Sequence, residues 1–147
     1  MKVLFVCWAN VGRSQMAAAL YNHMTGTQDA DSAGTGVDHP GETLGERRER
    51  VGRTYVIEVM QQKEGIDISA SESTPVTPDM LSKYDIVISM AQKEHTPDWL
   101  ANHPTYHFWD VADPGGKDYD ATITALAAVK RHVLAFVAEH GLQKPGA

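Results

Sequence analysis

The chain opens on an uninterrupted apolar run, Val3 to Val6, that ends at the only cysteine in the sequence, Cys7. An apolar strand without polar alternation must be covered on both faces. That fits a central strand of a parallel sheet and argues against a sheet with one wet face. Beyond Cys7 comes a loop, Trp8 to Gly12, and then a helix that opens near Arg13 or Ser14. Met16, Ala17, Leu20 and Met24 fall on one stripe at helical spacing, so these methionines belong to the core.

The alternation of strand and helix continues. Ala30 to Ala33 reads as a short second strand closed by Gly34 and Gly36, with a turn at His39-Pro40-Gly41 beyond it. Glu46 to Lys63 reads as helix, with Val51, Tyr55, Val59 and Gln62 on one face. Arg47, Arg48, Arg50 and Arg53 interleave there with Glu46 and Glu49. This is the pattern of a solvated face, although the cluster also suits steering of an anionic substrate. Thr77 and Pro78 form a helix start, Tyr84 to Met90 the third strand and Tyr106 to Trp109 the fourth. Between those strands, Lys93 to Asn102 holds a short helix broken by Pro97. Ala121 to Glu139 is an amphipathic helix expected to turn Ile123, Leu126, Ala127, the Lys130 stem, Val133, Leu134 and Val137 inward. Gly141 ends it, and Gln143 to Ala147 should fray. The length suits one domain, residues 1–147, of the α/β class: a parallel sheet with right-handed crossovers and helices on both faces.

The spacing around the cysteine carries the chemistry. Five residues separate Cys7 from Arg13, and Ser14 follows, giving C-x5-R-S. A loop that wraps from a strand end into a helix start aims successive backbone N–H groups at one centre, which suits a phosphate-sized oxyanion. The same field favours a thiolate at Cys7. Trp8, Ala9, Asn10, Val11, Gly12, Arg13 and Ser14 are therefore the expected substrate-binding residues. Arg13 offers a planar fork of donors, Ser14 a hydroxyl for the sulfur, and Gly12 room for the anion. Asn10 tolerates a left-handed backbone, and its amide can brace the loop. Ser32 and Thr35, beyond the second strand, could approach the loop but more simply serve the turn.

A net charge of −6 argues against general nucleic-acid binding and leaves a local anion site untouched. One cysteine excludes an internal disulfide and suits a cytoplasmic protein. Val3 to Cys7 is too short for a signal core or a membrane span. The seven histidines show no ligand spacing, and Pro104 lies between His103 and His107, so no metal and no cofactor is expected.

V-C-x5-R-S near the N-terminus, followed by Gln15-Met16-Ala17, resembles the low-molecular-weight protein tyrosine phosphatases and the arsenate reductases built on the same fold. Asp113-Pro114, Ser32-Ala33-Gly34-Thr35 and Gly65-Ile66 extend the resemblance over nearly the whole chain. It implies a three-layer sandwich around a four-stranded sheet in order 2-1-3-4, with Cys7 at the topological switch point. It also implies a phosphomonoesterase in which Cys7 attacks phosphorus to form a phosphocysteine. Arg13 then holds the equatorial oxygens and Asp113 acts as general acid and base; Asp110 and Asp118 compete for that role.

The departures matter too. The phosphatases usually carry aromatic residues after the Asp-Pro pair, where this chain has Gly115-Gly116-Lys117, leaving Tyr119 and Trp8 as candidate walls. A second loop cysteine is replaced by Gly12, and a histidine that braces the loop asparagine by Ser71 or a neighbour. These gaps, with the Gln15-Met16-Ala17 flank, support an alternative: arsenate reduction or arsenate–thiol transfer. With one cysteine there is no internal thiol relay, so that chemistry needs an external thiol or redoxin. The expected partners are a phosphorylated protein or small phosphomonoester, or arsenate with such a thiol. A non-catalytic phosphate-binding module is the second alternative.

Overall fold

The five residues of β1, Val3–Cys7, are all buried, because both of their faces meet apolar layers. The computed structural model describes residues 1–115 and 118–145. Gly116 and Lys117 of the expected post-Pro114 stretch, and Gly146 and Ala147 of the tail, lie outside the described residues. Strand geometry sends successive side chains to opposite faces. Val3, Phe5 and Cys7 join one apolar cluster with residues of α1 (Arg13–Thr25), α3 (Tyr55–Glu64) and α6 (Tyr119–Glu139). Leu4 and Val6 join the other, with Leu81 of α4 (Pro78–Leu81) and Leu100 of α5 (Asp98–Ala101).

Four parallel strands lie in the order β2-β1-β3-β4, with β2 at Ala30–Gly34, β3 at Ile86–Ser89 and β4 at Tyr106–Phe108. Phe5 pairs with Ser32 on one side and Ile88 on the other, while Cys7 pairs with Gly34 at the strand ends. The connections from β1 and β3 leave in opposite directions. A crevice therefore opens at their carboxyl ends, where Cys7 sits.

Two details differ from the sequence reading. Glu46 to Lys63 is two helices, α2 (Leu44–Val51) and α3. Gly52 takes φ +86, the left-handed geometry that closes α2, and Thr54 starts α3 from extended backbone. Val51 is exposed, and the core side of α3 is Val56, Ile57, Val59 and Met60. In α6, Ala127 and Leu134 face solvent; Thr122, Ala125, Leu126, Val129, Val133, Phe136 and Val137 are buried. That helix is apolar nearly all round, so its period cannot select a face; packing against α1 and α3 does. Its length and composition would suffice to cross a membrane, yet its apolar stripe lies in the core.

Candidate active site

The Cys7 to Ser14 loop is held from its own side chains outward. Asn10 is the one described non-glycine residue in the left-handed region, at φ +58, and is fully buried. Its Oδ1 accepts from the Thr74 amide at 2.8 Å, and its Nδ2 donates to Ser14 Oγ at 2.7 Å. Ser14 Oγ lies 3.0 Å from Cys7 Sγ. Asn10 fills one acceptor position of the serine oxygen and leaves the serine proton free for the sulfur. The order Thr74 to Asn10 to Ser14 to Cys7 thus brings a hydroxyl to the Cys7 sulfur, where it could donate to a thiolate. Ser73 Oγ donates to the Asn10 carbonyl, so the Ser73-Thr74 pair holds Asn10 near the place where Ser71 or a neighbour replaces the histidine of the phosphatases.

Gln15, also buried, donates to the Asn10 and Glu72 carbonyls at 3.0 and 2.9 Å. The amide groups of Trp8 to Ser14 donate to no protein acceptor among the described residues, as a nest awaiting an anion requires. A Cβ at Gly12 would meet open space. At Gly34 it would lie 2.6 Å from the Trp8 carbonyl, so only glycine lets β2 pass that close to the loop.

Arg13 is 2% exposed. Its guanidinium donates to the Met90 and Val111 carbonyls, which ties the loop to the ends of β3 and β4. On its other side, Arg13 Nη2 stands 3.6 Å from Asp113 Oδ2. The second oxygen of Asp113 accepts from the Gly115 amide at 2.9 Å, and Gly115 takes φ +60 to make that turn. Asp113 is 41% exposed at the mouth, so it can meet a leaving group and water. The competing aspartates have other positions. Asp118 caps α6 by accepting from the Ala121 amide, and neither it nor Asp110 lines the cleft.

The cleft above Cys7 measures about 280 Å³. Trp8, Ala9, Val11, Gly12, Arg13, Tyr55, Asp113 and Pro114 line it, with Arg47 and Arg53 at its edge. Trp8 is a wall, as expected, stacked on His95 with centroids 4.2 Å apart and planes 5° from parallel. The other aromatic lining the cleft is Tyr55, which the sequence reading missed. Tyr119 supports it from behind in an edge contact at 6.5 Å, and its hydroxyl donates to Gln62. The arginine cluster also differs from expectation. Arg50 forks onto Glu42 at 2.7 and 3.0 Å, and Arg47 stands 3.9 Å from Asp38. The partners expected within the helix, Glu46 and Glu49, are not used; Glu46 instead completes a capping box with Thr43. Thr35 donates its backbone N–H to the Cys7 carbonyl and Ser32 lies within β2 opposite Phe5, and neither lines the cleft.

The family description "low molecular weight phosphotyrosine protein phosphatase" matches residues 2–144. A curated relative, the glutaredoxin arsenate reductase of Synechocystis sp., is 30% identical over 140 residues, covering 94% of this chain and 97% of that protein. Another, from Ralstonia solanacearum, bears the name "Probable low molecular weight protein-tyrosine-phosphatase EpsP". It is 30% identical over 149 residues and covers 92% of each chain. Among solved structures, an arsenate reductase in the phosphate-binding state superposes with TM-score 0.71 at 28% identity, over 95% of this chain and 98% of that one.

Proposed function

The chain belongs to the low molecular weight phosphotyrosine protein phosphatase family, and on that premise we propose that it hydrolyses aryl phosphomonoesters through a phosphocysteine on Cys7. The observation that carries this reading is Asp113. It stands 3.6 Å from the anion-binding Arg13, open to the mouth of a slot walled by Trp8 and Tyr55. Oxyanion binding alone would need neither an acid at that place nor aromatic walls.

The Cys7 thiolate attacks phosphorus in line, forming the S–P bond as the P–O bond to the aryl group breaks. The loop amides and Arg13 hold the equatorial oxygens through this transfer. Asp113 gives its proton to the departing phenoxide. It then takes a proton from the water that attacks the phosphocysteine, so that phosphate leaves and the thiolate returns. The hydroxyl of Ser14 stabilises the sulfur anion at both ends of the cycle.

A second reading, arsenate handling, is favoured by a specific observation: a full-length relative at 30% identity is named an arsenate reductase. Arsenate has the shape and charge to enter the same loop. Cys7 is the only thiol, so release of arsenite would require an external thiol or redoxin. One preparation assayed both ways separates the readings. The phosphatase reading expects phosphate release from phenyl phosphate that collapses in Asp113→Ala. Arsenite formed only with added thiol, beside negligible phosphate release, would overturn it.

A further inference from the structure

The rim of the cleft holds more positive charge than the chemistry uses. Arg13, Arg47 and Arg53 line it against one carboxylate, Asp113, in a protein of net charge −6. Arg13 is committed to the floor. Of the neighbouring arginines, Arg50 is saturated by the Glu42 fork. Arg47 has only a loose partner, Asp38, at 3.9 Å. Arg53 makes no ion pair among the described residues; its guanidinium lies over the Tyr55 ring, 4.7 Å from the centroid. That contact fixes its direction and leaves its N–H groups unfilled. Arg47 lies in α2, which begins with the Thr43–Glu46 capping box, and Arg53 lies in the connection just before α3.

We propose that Arg47 and Arg53 read carboxylates flanking the reacting group, so that the preferred substrate is a phosphotyrosyl peptide with an acidic residue next to the phosphotyrosine. The proposal rests on the aryl phosphatase reading. With a tyrosyl ring in the slot between Trp8 and Tyr55, the peptide backbone sits at the mouth. Side chains on either side of the phosphotyrosine then come within reach of the two long arginines, and a carboxylate matches a guanidinium fork.

The test uses two phosphotyrosyl pentapeptides that differ only in carrying Glu or Gln on both sides of the phosphotyrosine. At low salt the Glu peptide should have a kcat/KM about tenfold higher, roughly threefold for each of the two arginines. The preference should fall to about threefold in Arg53→Gln and to near unity in the Arg47→Gln/Arg53→Gln double variant, and it should persist in Arg53→Lys. Asp38→Asn, which releases Arg47, should widen it. Raising ionic strength to 0.5 M should compress it, as screening requires (Debye length about 4 Å). Equal kcat/KM for the two peptides in the native protein would overturn the proposal. Calorimetric binding of both peptides to Cys7→Ser separates this outcome from failure of the phosphatase reading. Tighter binding of the Glu peptide without turnover by the native protein would uphold the rim and remove the chemistry. Equal binding would remove the rim.

Discussion

At the floor of the cleft, the polar side chains of the Cys7–Ser14 loop have fixed protein partners. At the rim, Arg53, Trp8 and Asp113 rest on one or two contacts each and stay open to solvent. Floor residues come from the end of β1, the short loop after it and the start of α1, and are locked by backbone donors and acceptors far away in sequence. Rim residues come from connections: Gly52–Thr54 between helices, and the turn after Asp113. The contrast teaches a division of labour. On the proposed reading, reactivity depends on a preorganised dipole array that tolerates little change, whereas selectivity resides in side chains that can be exchanged without disturbing the fold.

Changes at the floor should have the largest effects. Cys7→Ser is expected to abolish turnover while keeping phosphate binding, measured by single-turnover assay and by calorimetry with inorganic phosphate. Turnover retained in that variant would remove Cys7 as the nucleophile. Asp113→Ala, at the boundary of floor and rim, should lower kcat/KM, which reports the first step, about 10²–10³-fold with phenyl phosphate. The loss should be much smaller with p-nitrophenyl phosphate, whose leaving group departs without a proton in the first step. An equal loss with both would deny Asp113 its role as acid.

Ser14→Ala removes a hydrogen bond to a charged sulfur, worth about 1.5–3 kcal/mol, so kcat should fall roughly ten- to a hundredfold with the fold intact. Asn10→Ala should cost comparable activity and also lower the melting temperature, since it strands the Thr74 amide and places alanine at φ +58. A melting temperature unchanged in Asn10→Ala would contradict the claim that the loop is locked from outside.

The smallest effect lies away from the cleft. His132 stacks on Trp109 with centroids 4.9 Å apart. Burial, then the nearby Arg131 charge, hold its pKa below the ordinary histidine value, against a smaller opposing pull from Asp110. The folded state thus binds a proton less readily than the unfolded one. Its stability contribution is complete above the unfolded histidine pKa of about 6.5 and is lost as pH falls below it toward the lower folded value. His132→Gln should flatten the melting temperature between pH 7 and pH 5, and an unchanged slope would remove His132 from that dependence.

The floor was largely legible in the sequence and the rim was not, for a physical reason. β1, the Cys7–Arg13 spacing, the left-handed Asn10 and the Ser14 contact are local: each follows from strand pattern, loop length and helix start within a dozen residues. The sheet order followed from the family resemblance and agrees with the structure. The partner of Asn10 lies 64 residues away, and nothing in Ser73-Thr74 marks it as a brace. The helical period puts Tyr55 on the apolar face and Arg53 among the solvated residues of one long helix, because Gly52 falls within a tolerable helical period. Only the left-handed turn at Gly52 swings them to the cleft. A glycine between an arginine-rich segment and an aromatic helix start was the available signal. The buried face of α6 was lost for the opposite reason, an excess of apolar residues on every side.

The account's central claim is covalent catalysis at Cys7, and rapid acid quench of Asp113→Ala with ³²P-labelled p-nitrophenyl phosphate tests it most directly. In that variant the first step needs no acid and the second lacks its base. The account predicts label bound to protein in near-stoichiometric amount, mapped to Cys7 and absent in Cys7→Ser. Absence of protein-bound label, while p-nitrophenol and phosphate appear together without a burst, would contradict it.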